Sequence, residues 1–80
     1  MDTFQIRGIF KNNICRAREI DDDEYAITMD TQEIGVIAKE KGGWYIKETK
    51  NEALSAENAQ LIGQFIDRRS LADLHPSIGD

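Results

Sequence analysis

The sequence predicts an α+β fold: a curled antiparallel β-meander of about five strands, a half-barrel or small barrel, closed by one C-terminal α-helix. Three observations carry this prediction. Residues 3–48 alternate apolar and polar with a period of two, broken by Asn, Asp or Gly clusters. From residue 55 the period becomes helical. The connections are short, so consecutive strands pair antiparallel. Five strands at about 4.8 Å spacing span roughly 19 Å, and one helix is only about 10 Å wide. A flat sheet would leave apolar surface uncovered, so the sheet is expected to curl around the helix.

The first strand is expected over Thr3–Phe10, with Phe4, Ile6, Gly8 and Phe10 on one side. Asn12-Asn13 suits a two-residue type I′ loop, because Asn tolerates positive φ. That register sets Phe10 opposite Cys15, Gly8 opposite Ala17 and Ile6 opposite Glu19. A three-residue loop would turn Arg16 and Arg18 into the core, since a one-residue slip exchanges the faces. The polar run Asp21-Asp22-Asp23-Glu24 separates the second strand from a third, where Tyr25, Ile27 and Met29 point inward. The next turn lies in Asp30–Glu33. Two- and four-residue loops give the same parity, and threonine's aversion to positive φ favours the longer one. Either way Ile34, Val36 and Ala38 are expected inside. Lys41-Gly42-Gly43, as a three-residue loop ending in a left-handed glycine, turns Trp44 and Ile46 inward. The alternative has Tyr45 inward and sends Trp44 to solvent.

Residues 49–54 read as a linker to the helix. Ser55 is the expected N-cap, Leu54 the staple residue, and Glu57 lies in the first turn. Leu61, Ile62, Phe65 and Ile66 form one apolar stripe, and Arg68 and Arg69 suit the C-terminal end of the dipole. Ala59 and Gly63 on one flank predict close approach of the helix to its own sheet or, alternatively, a partner backbone packing there. Leu71 falls opposite the stripe, so the helix is expected to end or re-cap near Ser70, and Pro76 forbids continuation. The compact domain is therefore residues 1–69. Residues 70–80 form a tail, a short helical turn or docking arm with Leu71, Leu74 and Ile78 as contacts.

Composition narrows the function classes. The net charge is −5, which argues against nucleic-acid binding by bulk electrostatics. A single cysteine permits no internal disulfide. No apolar run approaches the roughly 20 residues of a membrane span, and the first residues lack a signal-peptide pattern. A cytoplasmic protein with no membrane partner is the expectation.

No catalytic set stands out, so no enzyme activity, cofactor or metal is expected. The four carboxylates of residues 21–24 are consecutive, whereas a calcium loop spaces its ligands at alternate positions and adds a distant Glu. His75 stands alone beside Pro76, without the partner that a general base needs. Cys15 falls on the core side, where a thiol is usually inert. Gly42-Gly43 joins strands rather than opening a helix, so it is no phosphate loop.

The second sheet face is unusual for an acidic chain. Arg7, Lys11, Arg16, Arg18, Lys39 and Lys47 are six of the ten basic residues, interleaved with Ile9, Ile14, Ile37 and Tyr45. Their stems could simply shield the aliphatic groups. Alternatively the face docks an acidic protein segment or a second copy of the chain. One exposed aromatic is too few for a nucleic-acid platform. A further alternative is a small-ligand site in the mouth of the curled sheet, lined by Tyr25, Met29 and Trp44.

Three segments in order, Ile34-Gly35-Val36-Ile37, Gly43-Trp44-Tyr45, and Leu54-Ser55 leading to Ile62-Gly63 and Ile66, resemble a class of small bacterial proteins. That class is a β-meander followed by one C-terminal helix. The resemblance spans roughly residues 3–67 and implies the fold and no activity. It departs at the third turn, where such sequences carry Asp-Gly and this chain has Asp30-Thr31. The tail from Ser70 lies outside it.

Overall fold

A computed structural model describes residues 3–74, with side chains as far as residue 69. Five strands are followed by one helix: β1 (Thr3–Ile6), β2 (Cys15–Asp21), β3 (Glu24–Met29), β4 (Gln32–Glu40), β5 (Gly43–Thr49) and α1 (Ala56–Leu74). The strands form one antiparallel sheet in sequence order, with β1 and β5 as open edges. The α+β class and the meander-then-helix order are as predicted, and the sheet does not close into a barrel. It curls enough for one helix to touch both edge strands. The Phe4 ring on β1 stacks on Phe65 at 6.4 Å, and Trp44 on β5 lies against Gly63, where a Cβ would enter the indole. Tyr25 fills the space between, 6.1 Å from Phe4 and 5.9 Å from Trp44. The core beneath joins Ile6, Cys15, Ala17, Ile27, Ile34 and Ile37 to Leu54, Ala59, Ile62 and Ile66.

The helix start follows the predicted cap. The Asn58 N–H donates to Ser55 Oγ at 3.2 Å, and Ala59 N–H to the Ser55 carbonyl at 2.8 Å. Leu54 and Ala59, the staple positions, are buried in the same cluster. The linker is tied down by Asn51 Oδ1, which accepts from Ala53 N–H, and by Asn58 Nδ2, which donates to the Ala53 carbonyl, both at 2.8 Å.

Five details differ from the prediction. First, β1 stops at Ile6, and Ile6 rather than Phe10 stands opposite Cys15. Gly8, at φ 87°, takes the chain out of the ladder. Residues 7–14 form the connection, from which Ile9 and Phe10 swing back onto the core. The slip is an even number of residues, so Cys15 and Ala17 keep the predicted inward face. Second, the turn between β3 and β4 is the short Asp30-Thr31 loop, because Asp30, not Thr31, adopts the positive φ of 57°.

Third, the parity of β4 changes midway. Ile27 pairs with Gly35 but Thr28 pairs with Glu33, leaving Ile34 as the extra residue of a bulge. Ile34 and Ile37 both enter the core, whereas Val36 and Ala38 lie on the opposite face. Fourth, β4 and β5 are joined by a two-residue loop, with Lys41 at φ 49° and Gly42 at φ 85°, the signature of a type I′ turn. Trp44 faces inward as predicted, because the shorter loop and the bulge each shift parity by one and cancel. Fifth, α1 continues to Leu74 instead of ending near Ser70. Leu71 and Ala72 favour helix and no breaker precedes Pro76. Arg68 and Arg69 therefore lie before the last turn. The side chains of Leu71 and Leu74, and residues 75–80 with His75, Pro76 and Ile78, lie outside the described set.

Candidate functional site

The face of the sheet turned away from α1 is organised in cross-strand rows. One row reads Gln5, Arg16, Thr28, Glu33. The next reads Thr3, Arg18, Ala26, Val36, Glu48, and a third Glu24, Ala38, Tyr45. Ala26, Val36 and Ala38 are buried here although they face away from the helix. Their direct neighbours Arg18, Glu48 and Tyr45 are long enough to cover them. Of these neighbours only Arg18, beside Ala26, is the cationic stem that the shielding reading expects.

The predicted ten-residue face is only partly assembled. Arg16 and Arg18 are exposed on it, as is Tyr45 at 45%. Arg7, Lys11 and Ile14 are exposed too, but in the β1–β2 connection rather than on a strand. Lys47 remains on this face and is bound to Glu24 at 2.7 Å. Three predicted members belong elsewhere. Ile37 is fully buried in the core. Lys39 is on the helix side, bonded to Asp67 at 2.7 Å. Ile9 packs half-buried against the core. The bulge at Ile34-Gly35 displaces Ile37 and Lys39, and the early end of β1 displaces Ile9.

Eight of the ten basic residues fall into two groups, and the other two, Lys11 and Lys41, meet no carboxylate among the described residues. Lys39, Lys47 and Lys50 each meet a carboxylate, Asp67, Glu24 and Glu33, at 2.7, 2.7 and 2.8 Å. The hydrogen bonds that Lys47 and Lys50 donate to Glu24 and Glu33 raise the pKa of both lysines. Asp67 serves twice, because its second oxygen accepts from Trp44 Nε1 at 3.2 Å. By contrast, none of the five arginines pairs with a carboxylate among the described residues. Arg16 reaches only the Asp30 backbone carbonyl, at 3.5 Å. Arg69 lies over the Phe4 ring at 4.3 Å, which holds it beside β1, and among the described residues it meets no carboxylate. Arg69 was not among the predicted contacts. The stacking that places it joins residues 65 positions apart, and no local pattern signals such a contact.

The remaining chemistry is sparse. The Cys15 thiol is 1% exposed, and burial pushes it up to about 11. Among the described residues no group of three or more His, Cys, Asp or Glu converges as metal ligands would. The ligand mouth expected at Tyr25, Met29 and Trp44 is occupied by the Phe4–Tyr25–Trp44 ring cluster. A cleft of about 240 Å³ does lie near Trp44, between β5 and the start of α1, lined by Trp44, Tyr45, Ile46, Ala56, Ala59 and Gln60. Gln60 Nε2 donates across it to the Trp44 carbonyl. No described helix is long and apolar enough to cross a membrane. No family model, curated protein or solved structure matches the chain.

Proposed function

We propose that this chain is a non-enzymatic protein–protein interaction module that docks a carboxylate-rich protein segment on its β1–β2 side, centred on Arg16 and Arg18. One observation carries the reading. The chain has fifteen acidic residues, yet among the described residues none pairs with any of its five arginines. Guanidinium is a planar fork suited to bidentate carboxylate binding, and its charge persists at every physiological pH. Three of the five lysines, Lys39, Lys47 and Lys50, take the internal pairs as more flexible point charges, whereas Lys11 and Lys41 meet no carboxylate among the described residues. The overall negative charge and the placement of Tyr45 beyond β2 and β3 give no support to a nucleic acid as partner. The cleft at Trp44 supports the alternative of a small-ligand site more weakly, since its volume is below the roughly 300–1,000 Å³ usual for ligand pockets.

The test is binding of a fluorescein-labelled, eight-residue peptide of alternating threonine and glutamate, followed by anisotropy at low salt. Arg16→Glu/Arg18→Glu is expected to weaken binding at least tenfold, with a melting profile by circular dichroism like that of the parent. Lys47→Glu/Lys50→Glu, on the β5 side, is expected to leave affinity within twofold. Equal binding by the arginine-reversed protein, or no binding by the parent, would show the docking reading to be wrong.

A further inference from the structure

We infer that the acidic segment joins the sheet as a sixth strand along β1, an inference that rests on the docking reading above. The hydrogen-bond phase of the sheet shows which groups β1 offers. Asp30 N–H donates to the Ile14 carbonyl at 2.7 Å, so the even-numbered residues entering β2 face β3. In an antiparallel ladder the hydrogen-bonding direction alternates residue by residue. Cys15 and Ala17 therefore bond to Ile6 and Phe4, their partners on β1. The N–H and C=O groups of Thr3 and Gln5 are left at the outer edge of β1, where no described strand pairs with them.

The other edge, β5, is partly occupied. Lys39 N–H donates to the Asp23 carbonyl at 2.9 Å, so Lys39 bonds towards β3 and Ala38 bonds to Tyr45 on β5. By the same alternation Trp44 and Ile46 present their backbone groups outward. There Gln60 occupies the Trp44 carbonyl, and the first turns of α1 line the cleft alongside. Lysines near an edge also discourage strand addition. On β1 the outward positions are instead Thr3 and Gln5, uncharged and exposed.

Charge complementarity selects the occupant. Arg18 stands directly opposite Thr3 and Arg16 opposite Gln5. They are two residues apart on one face, the repeat with which an extended segment presents alternate side chains. A strand added to β1 would lie about 9.6 Å from β2, two strand spacings. Swung over Thr3 and Gln5, with Arg16 giving up the 3.5 Å contact to the Asp30 carbonyl, the two arginines would meet carboxylates at alternate positions of the new strand. Arg69, held over Phe4, stands at the same strand from the helix side. The partner is thus an extended segment with acidic residues at every second position, bound through its backbone as well as its charges.

Gln5→Pro separates strand addition from charge attraction alone. It removes an outward N–H and no β1–β2 hydrogen bond, and proline is tolerated on an edge strand in that orientation. With the threonine–glutamate peptide, Gln5→Pro is expected to weaken binding at least tenfold while Arg16 and Arg18 remain in place. Amide exchange at Thr3 and Gln5 in the parent is expected to slow at least tenfold on saturation, a readout independent of whether the proline variant folds. Parent-like binding by folded Gln5→Pro, or unchanged exchange at both amides, would overturn strand addition and leave charge-driven docking standing. Failure of the parent to bind would instead remove the docking reading, and this inference with it. A parent dimer by light scattering that Gln5→Pro converts to monomer would make a second copy the occupant and overturn the acidic-segment proposal.

Discussion

On β4, on β5 and just past its end, Lys39, Lys47 and Lys50 each close on a carboxylate at 2.7–2.8 Å, whereas on β2 Arg16 and Arg18 close on none among the described residues. The backbone shows the same contrast. The β5 side has two irregularities in its pairing, at Ile27/Thr28 and Val36/Ile37, through which Gly35 approaches the linker. The β1–β2 ladder is a regular run of four pairs that ends in a long connection, and the one irregularity of β2 lies at its far end, at Glu19/Asp21 against β3. One half of the sheet spends its polar groups on the fold itself. The other keeps them facing outward, which is what a docking edge requires.

The sharpest break of this comparison is a methyl group added to one glycine in each half. At Gly35, with φ 156°, a Cβ would run into the Glu48 carbonyl oxygen and the Leu54 side chain. A backbone carbonyl cannot yield as a side chain can, so backbone strain and overpacking combine, and Gly35→Ala is expected to cost about 3 kcal/mol or more. At Gly8, with φ 87°, the same Cβ meets nothing within 4 Å. Only the left-handed backbone opposes it, at about 1–2 kcal/mol. Urea titrations of both variants check the order. A Gly35→Ala loss no larger than that of Gly8→Ala would mean that the two halves are packed alike.

Gly35 also marks where sequence reasoning stops. Period two was sufficient to assign the meander and the inward face of β2 and β3, and capping residue types were sufficient for the cap at Ser55. It failed within β4 because strict alternation assumes an uninterrupted ladder, and a bulge inserts one residue without any change in composition. The signal was present, since a glycine inside an aliphatic strand often marks a bulge. Reading it would have moved Ile37 into the core and Lys39 to the helix side. The candidate site was less legible still. Arg16 and Arg18 follow from strand parity, but whether a basic residue is free or paired depends on neighbours distant in sequence. Lys39 with Asp67, Lys47 with Glu24, and Lys50 with Glu33 are all separated by 17 to 28 residues.

A regular ladder with a free edge could still be as firmly closed as the β5 side, and Cys15 reports on this. Its folded-state thiol is raised from 9.0 to about 11 by burial. A raised thiol pKa means that the unfolded chain ionises first, so this contribution to stability is intact below pH 9 and is lost as pH rises towards 11. At 1.36 kcal/mol per unit, the loss is about 2–3 kcal/mol. Cys15→Val is expected to abolish that part of the alkaline destabilisation, measured by urea titration across the same range. At pH 8 the parent thiol is expected to react with a disulfide reagent only at the rate of global unfolding. Faster labelling would show that the β1–β2 side opens locally, and would sharpen the contrast between the halves.

The smallest effects compare one helix contact from each half. Asp67 accepts from both Lys39 and Trp44, and its ion pair is about one-third exposed, with side-chain accessibilities of 35% and 36%. Asp67→Asn keeps an acceptor for the indole and removes only the charge, so a loss below about 1 kcal/mol is expected, fading in high salt. Arg69→Gln removes the guanidinium over Phe4, a contact worth about 0.5–1 kcal/mol at an exposed site. In denaturation experiments the two variants should look alike. They should part in the peptide assay at low salt, where Asp67→Asn does not lower affinity and Arg69→Gln, whose charge lies on the face opposite Arg16 and Arg18, lowers it about twofold through long-range attraction. The helix then serves the fold through Asp67 and the docking edge through Arg69, less than one turn apart. Equal affinity for both variants would confine the docking charge to Arg16 and Arg18 and leave Arg69 a purely structural role.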